Sequence, residues 1–415
     1  MEKNKLHLCD FCGKNKEDVE KLIVGDTASI CNDCVELCVN ILEEDNIKKF
    51  PKDEFEARSL YNPVKIKDYL DQYVIGQEHA KISLSVAVCQ HFKRTFKKNK
   101  ELELEKTNVL LLGPTGCGKT MLARKLAEYL NVPFAICDAT SITEAGYVGD
   151  DVESILSRLI NSADGDIEKA QQGIVYIDEI DKISRKGENT STTRDVGGEG
   201  VQQALLKMIE GSIMRVPLSD KRKHPRGEVN EIDTGGILFI CGGAFVGLEK
   251  IINKRKEKTS SIGFNAIINS KQEEISNYKD TETKDIVNYG MIPEFVGRFG
   301  LITHVEELDV KDLVRILKEP KNSLINQYHY LFEVDGIELT FNDDSLESIA
   351  KSAKDTKTNA RGLKNIIEKI LLPYQFEAID LAERGLKKII INKDTVEGQP
   401  ATLIFEKSKE KEKVK

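Results

Sequence analysis

The sequence predicts an α/β fold: a phosphate-loop domain with a parallel sheet flanked by helices, then a smaller α+β lid domain, all preceded by a four-cysteine zinc module. Three observations carry this. Gly113-Pro114-Thr115-Gly116-Cys117-Gly118-Lys119-Thr120 reads G-x-x-x-x-G-K-[ST] between an apolar run over 109–112 and a helical pattern over 121–130. Four short, continuously apolar runs alternate with helical patterns, as buried parallel strands do. Cys9-Asp10-Phe11-Cys12 and Cys31-Asn32-Asp33-Cys34 repeat C-x2-C with eighteen residues between the pairs.

The chain has 415 residues, enough for two or three domains, and is 40% hydrophobic and 31% charged. It contains no apolar run of membrane-spanning length. Met1-Glu2-Lys3-Asn4-Lys5 leads into no apolar stretch, which predicts neither a secretion signal nor a transit peptide. A formal net charge of −8 works against nucleic acid as a partner. Five of the nine cysteines lie between Cys9 and Cys38, which points to a metal module in a reducing compartment and not to a disulfide framework.

Residues 1–43 form the predicted zinc domain. Each C-x2-C supplies two thiolates to a tetrahedron, through Cys9, Cys12, Cys31 and Cys34. The segment around 22–25 can close a hairpin, and 35–42 suggests a helix carrying Cys38 as a packed thiol. So small a piece takes most of its folding energy from the metal. It holds five lysines against nine acidic residues, so it should repel phosphate backbones and bind protein or itself. Residues 44–61 read as a linker.

Residues 62–306 form the nucleotide domain. A helix is predicted from Glu78 to about Phe96, and strands over 109–112, 133–137, 174–177 and 237–240. In the loop, Gly113, Pro114, Thr115, Gly116, Cys117 and Gly118 turn backbone N–H groups toward phosphate, and the dipole of the helix entered at Lys119, Thr120 and Met121 adds to the attraction. Lys119 should reach the β- and γ-phosphates of ATP, and Thr120 should ligate magnesium. The third strand ends in Asp178-Glu179. Asp178 should complete the magnesium shell and Glu179 should polarise the attacking water, so hydrolysis and not mere binding is expected.

Four segments occur together with the zinc module: Asp178-Glu179-Ile180-Asp181-Lys182-Ile183, Ala145-Gly146-Tyr147-Val148-Gly149, Arg222-Lys223-His224-Pro225 and Ile292-Pro293-Glu294-Phe295-Val296-Gly297-Arg298. In this combination, from about Cys9 to Phe405, the chain resembles the ClpX family of AAA+ unfoldases. The resemblance implies a cytoplasmic homohexamer that threads protein substrates with unstructured tails through a central pore into the ClpP peptidase, with adaptor proteins docking on the zinc module. It implies adenine contact by Val74 and Ile75, an arginine finger at Arg298 and a nucleotide-sensing arginine at Arg361. Tyr147 and Val148 resemble the pore loop that grips substrate, Thr193-Arg194-Asp195-Val196-Gly197-Gly198 a lower pore loop, and Arg222-Lys223-His224 a basic loop at the pore entrance. Ile262-Gly263-Phe264, in a long charged insertion over about 250–285, resembles the segment that docks on ClpP. There are two departures. Cys117 stands where the family usually has serine, and its oxidation could block nucleotide. Cys241-Gly242-Gly243 offers no polar sensor residue.

Residues 307–405 form the predicted lid domain, with helices over 310–318, 322–332, 343–353 and 363–383 and strands over 336–341 and 388–391. Residues 406–415 are a charged tail. The resulting expectation is an ATPase that unfolds and translocates proteins and has no peptidase activity of its own. The alternative is a stand-alone protein-remodelling chaperone.

Overall fold

The computed structural model of the chain describes residues 8–25, 28–38, 61–96, 104–143, 150–185, 198–217, 229–260, 278–356 and 358–406. It divides into two units, Met1–Leu60 and Tyr61–Lys415, taken here in turn.

The first unit pairs β1 (Leu22–Val24) with β2 (Ser29–Cys31) in an antiparallel hairpin, Leu22 opposite Cys31. A helix follows over 32–38, three residues ahead of the expected start. Among the described residues, its buried apolar core is Cys9, Cys31 and Cys34, with Val19, Leu22 and Ile30 packed against them. That is too little apolar surface to offset the backbone entropy of the segment.

The second unit is organised by a five-stranded parallel sheet, β3 (Asn108–Leu112), β4 (Phe134–Asp138), β5 (Ile174–Asp178), β8 (Leu238–Gly243) and β9 (Phe299–His304), in the order β4-β5-β8-β3-β9. β3, β5 and β8 lie inside the sheet, and nearly every side chain on them is buried, as their continuous apolar runs predict. β9 is not anticipated by the sequence. Its Phe-Gly-Leu-Ile-Thr-His pattern is diluted because it is an edge strand with half-exposed positions. β8 also runs past the apolar stretch through Gly242 and Gly243. Gly242 is there for space: a Cβ would sit 2.1 Å from the Tyr176 hydroxyl. β6 (Ile213–Pro217) and β7 (Val229–Asp233) add a separate antiparallel hairpin, likewise not anticipated.

The stretch read as a charged insertion is structured at both ends. Helices Leu248–Ser260 and Thr283–Tyr289 are tied together by Arg255, whose Nε lies 2.9 Å from Oδ1 of the fully buried Asp285. Within the same unit the expected small (lid) region then packs helices Val310–Lys318, Leu324–Val334, Asp343–Asp355, Asn359–Phe376 and Ala378–Glu383 with β10 (Glu338–Phe341), β11 (Leu386–Ile391) and β12 (Thr402–Phe405). β10 and β11 are parallel, and β11 and β12 antiparallel. The helix expected over 363–383 begins four residues earlier and is divided at Glu377.

At the end of the sheet away from the phosphate loop, three basic side chains close on successive carbonyls. Lys106 Nζ donates to Thr234 (2.8 Å), an Arg94 Nη to Gly235 (2.5 Å), and His91 Nε2 lies 2.9 Å from the Gly236 oxygen. The carbonyl requires a proton on Nε2. Burial, and then the neighbouring Arg94, push the His91 pKa down to about 3; the same two causes bring Lys106 to about 7. His91 therefore stays neutral in the native chain while its unfolded counterpart takes up a proton below about 6.5. Stability should fall as pH drops from about 6.5 toward 3, by up to about 1.4 kcal/mol per pH unit from this one group. Denaturant titrations at several pH values should show a shallower slope for His91→Gln, which keeps a donor but does not titrate; an unchanged slope contradicts this account.

Candidate nucleotide site and zinc centre

β3 delivers the chain into the phosphate loop, and helix Lys119–Leu130 carries it out. Gly113 and Gly116 have φ of 132° and 79°, in the left-handed region that favours glycine. Both are also tightly overlaid: a Cβ on Gly113 would lie 2.5 Å from the Val305 oxygen, and one on Gly116 would lie 2.6 Å from the Thr358 oxygen. Lys119 is buried, and its Nζ donates to the carbonyls of Gly113 (2.6 Å) and Pro114 (3.0 Å). Burial lowers its pKa, opposed by Asp178.

The sheet order places Asp178, at the end of β5, across from the loop. Its carboxylate accepts from Thr120 Oγ1 (3.0 Å), from the Tyr176 hydroxyl (3.1 Å) and from the Glu179 N–H (3.0 Å). Burial, and then Asp178, raise the Tyr176 pKa well above the usual phenol value, so its hydroxyl remains a donor. Glu179 sits at φ 54°, ψ 34°, a left-handed conformation that costs a non-glycine residue on the order of 1 kcal/mol. Val74 and Ile75 are buried, and Val74 Cγ1 would lie 3.7 Å from a Cβ on Gly118. Cys117 is buried and its thiol pKa is raised by burial, which disfavours the reactive thiolate and speaks against ready oxidation. Met121 is half exposed on the first turn of the helix.

The small domain reaches into the same place. Asn359 Nδ2 donates to the Thr115 carbonyl (3.0 Å) and the Ala360 N–H to that of Gly116 (3.3 Å). Arg361 follows on the same helical turn with an exposed side chain, its backbone nitrogen 3.6 Å from where a Gly116 Cβ would be. Asn359 carries no signal in the sequence: nothing local distinguishes it from any residue at a helix start, and its partner is 244 positions away. Arg298 lies elsewhere. It precedes β9, whose first residue pairs with Asn108, whereas the loop follows Leu112, about 13 Å of strand away. Its guanidinium pairs with Glu210 at 2.5 Å. Tyr147, Val148, residues 193–197, Arg222, Lys223, His224, Ile262, Gly263 and Phe264 lie outside the described residues.

In the first unit, the sulfurs of Cys9, Cys12, Cys31 and Cys34 all lie within 4.8 Å of one another, with Cys9–Cys34 at 3.8 Å and Cys12–Cys31 at 3.6 Å. A tetrahedron with Zn–S bonds of about 2.3 Å requires S···S separations near 3.8 Å, so the donor set fits zinc. Burial opposes ionisation of Cys9, but N–H groups of Cys12, Cys31 and Phe11 outweigh it and bring the thiol to about 6. Chelation, or Cys9→Ala, should unfold 8–38 and leave the second unit folded. Amide NMR of the zinc-loaded and stripped chain checks this; a hairpin that survives without metal contradicts it.

Three family profiles match the chain: a ClpX C4-type zinc finger over 7–44, an AAA domain (Cdc48 subfamily) over 104–302, and the C-terminal D2-small domain of ClpB protein over 308–394. The ATP-dependent Clp protease ATP-binding subunits ClpX of Borrelia duttonii and Borrelia recurrentis are each 50% identical over 396 residues, covering 94% of this chain and 91% of theirs. The protein named ClpX 2 in Wolinella succinogenes is 50% identical over 406 residues, covering 97% of this chain and 98% of its own. A cleft built for nucleotide, a four-cysteine cluster built for zinc and identity of this extent agree: the chain belongs to the ClpX family of AAA+ ATP-binding Clp protease subunits.

Proposed function

We propose that the chain is an ATP-driven protein unfoldase that acts as a cytoplasmic homohexamer and delivers its substrates to ClpP. The observation that carries this reading is the meeting of three things in one cleft: the phosphate loop, the Asp178-Glu179 pair and the first turn of helix Asn359–Phe376. Whatever enters the cleft bears on both domains at once.

In this reading the loop N–H groups and Lys119 hold the phosphates of ATP, and Val74 and Ile75 face the adenine. Thr120 and Asp178 would hold magnesium, which would supply positive charge beside the phosphates. Glu179 orients the attacking water. Arg361, on the small domain, senses the phosphates through its fixed positive charge. Arg298 lies too far along the sheet to serve its own loop, which favours action on a neighbouring subunit and hence a ring. Turnover then becomes a change of angle between large and small domains, which moves Tyr147 and Val148 along the pore and pulls on substrate. Ile262, Gly263 and Phe264 dock on ClpP as flexible apolar anchors. The zinc centre has all four positions filled by cysteine and holds the fold of an adaptor-binding module, whose Phe11, Ile23, Val24 and Leu37 are exposed.

Degradation of a tagged, stably folded protein in the presence of ATP and ClpP tests the reading. Glu179→Gln should lower ATP turnover at least about a hundredfold while nucleotide still binds. Tyr147→Ala should leave hydrolysis in place and slow unfolding. Deleting Ile262-Gly263-Phe264 should abolish degradation and spare unfolding; degradation that persists removes the docking assignment. Unfolding with no degradation by the wild type favours a stand-alone remodelling chaperone.

A further inference from the structure

The crossing from large to small domain, residues 305–308, is held by the nucleotide cleft itself. The Val305 N–H donates to the Leu112 carbonyl at 2.8 Å, and the Val305 oxygen covers Gly113. The backbone of Leu308 lies beside the Cys117 thiol and lowers its pKa against the larger effect of burial. Between them, Glu306 is gripped by one side chain from 229 positions away: Gln77 Nε2 donates to its carbonyl at 2.9 Å, and its N–H donates to Gln77 Oε1 at 2.7 Å. Both halves of the amide are used on the backbone of a single residue, so the orientation of the amide is unambiguous.

Gln77 follows Val74, Ile75 and Gly76 directly, is 5% exposed, and holds φ 59°. Glycine would adopt that backbone more easily, but it could not make the fork. Glutamate would keep the acceptor and lose the donor, and leucine would lose both. We infer that Gln77 is a positioning residue that couples the nucleotide cleft to the interdomain hinge: displacement of the Val74-Ile75 loop shifts Gln77, and through it the peptide groups of Glu306. The inference rests on the ATP-cleft reading above and adds the route by which binding is felt at the hinge.

The test uses the full chain as wild type, Gln77→Glu and Gln77→Leu. Hydrogen exchange is followed by mass spectrometry with and without ADP and magnesium, and ATP hydrolysed per folded client unfolded is counted. In the wild type, ADP with magnesium should slow exchange both over 113–120 and over 303–308. Gln77→Leu should retain the first effect, which shows that it folds and binds, and lose the second, with the Glu306 N–H exchanging about tenfold faster. Its KM for ATP should stay within about threefold while ATP consumed per unfolding event rises at least about fivefold, because a hinge cut off from the cleft wastes turnover. Gln77→Glu should fall between. Nucleotide-dependent protection of 303–308 that persists in Gln77→Leu, or an unchanged ATP cost, overturns the inference while leaving the ATP reading standing. Lack of protection over 113–120 in the wild type overturns both.

Discussion

The structure turns on the contact between the apex of the phosphate loop and the first turn of helix Asn359–Phe376. The small domain offers Asn359 Nδ2 and the Ala360 N–H to carbonyls that the loop cannot satisfy internally. Gly116 has no room for any side chain beneath Thr358. Loop and small domain are therefore fitted to each other at backbone level. A shift in one is resisted or transmitted by the other, because close-packed contacts offer few intermediate arrangements.

Strain collects around the same cleft. Gln77, Glu179 and Asn359 are three of the six non-glycine residues with positive φ among the described residues, and they come from the large domain's first loop, the acidic pair and the small domain. Each is over-determined by its surroundings: Gln77 by Glu306, Glu179 by its N–H to Asp178, Asn359 by Thr115. Unfavourable backbone persists where neighbours fix it and where a defined geometry matters. The rest of the large domain is a conventional buried sheet that presents Asp178 and the loop at the carboxyl ends of β5 and β3, with β8 between them, where ligands of open α/β sheets bind.

The features legible in the sequence are those whose partners are near in the chain or whose chemistry is written in spacing. The paired cysteines, the glycine-rich loop with Lys119 and Thr120, and the buried strands over 109–112 and 174–177 emerge from pattern alone. Edge strand β9 does not, because half-exposure removes its periodicity. The continuation of β8 through Gly242 is hidden because glycine signals a turn until the Tyr176 ring is seen to need the space. Gln77 and Asn359 were invisible for a different reason. A single amide in a polar neighbourhood carries no signal until the fold brings it against a backbone more than two hundred residues away.

The central claim is that nucleotide in the cleft sets the angle between large and small domains. The most direct measurement is the distance between spin labels on unnatural residues at the exposed positions Lys93 and Lys364, taken by pulsed electron resonance in the Glu179→Gln chain with ATP, with ADP and with neither. The account predicts distinct distance distributions for the three conditions. One distribution common to all three, with nucleotide shown to be bound, contradicts it.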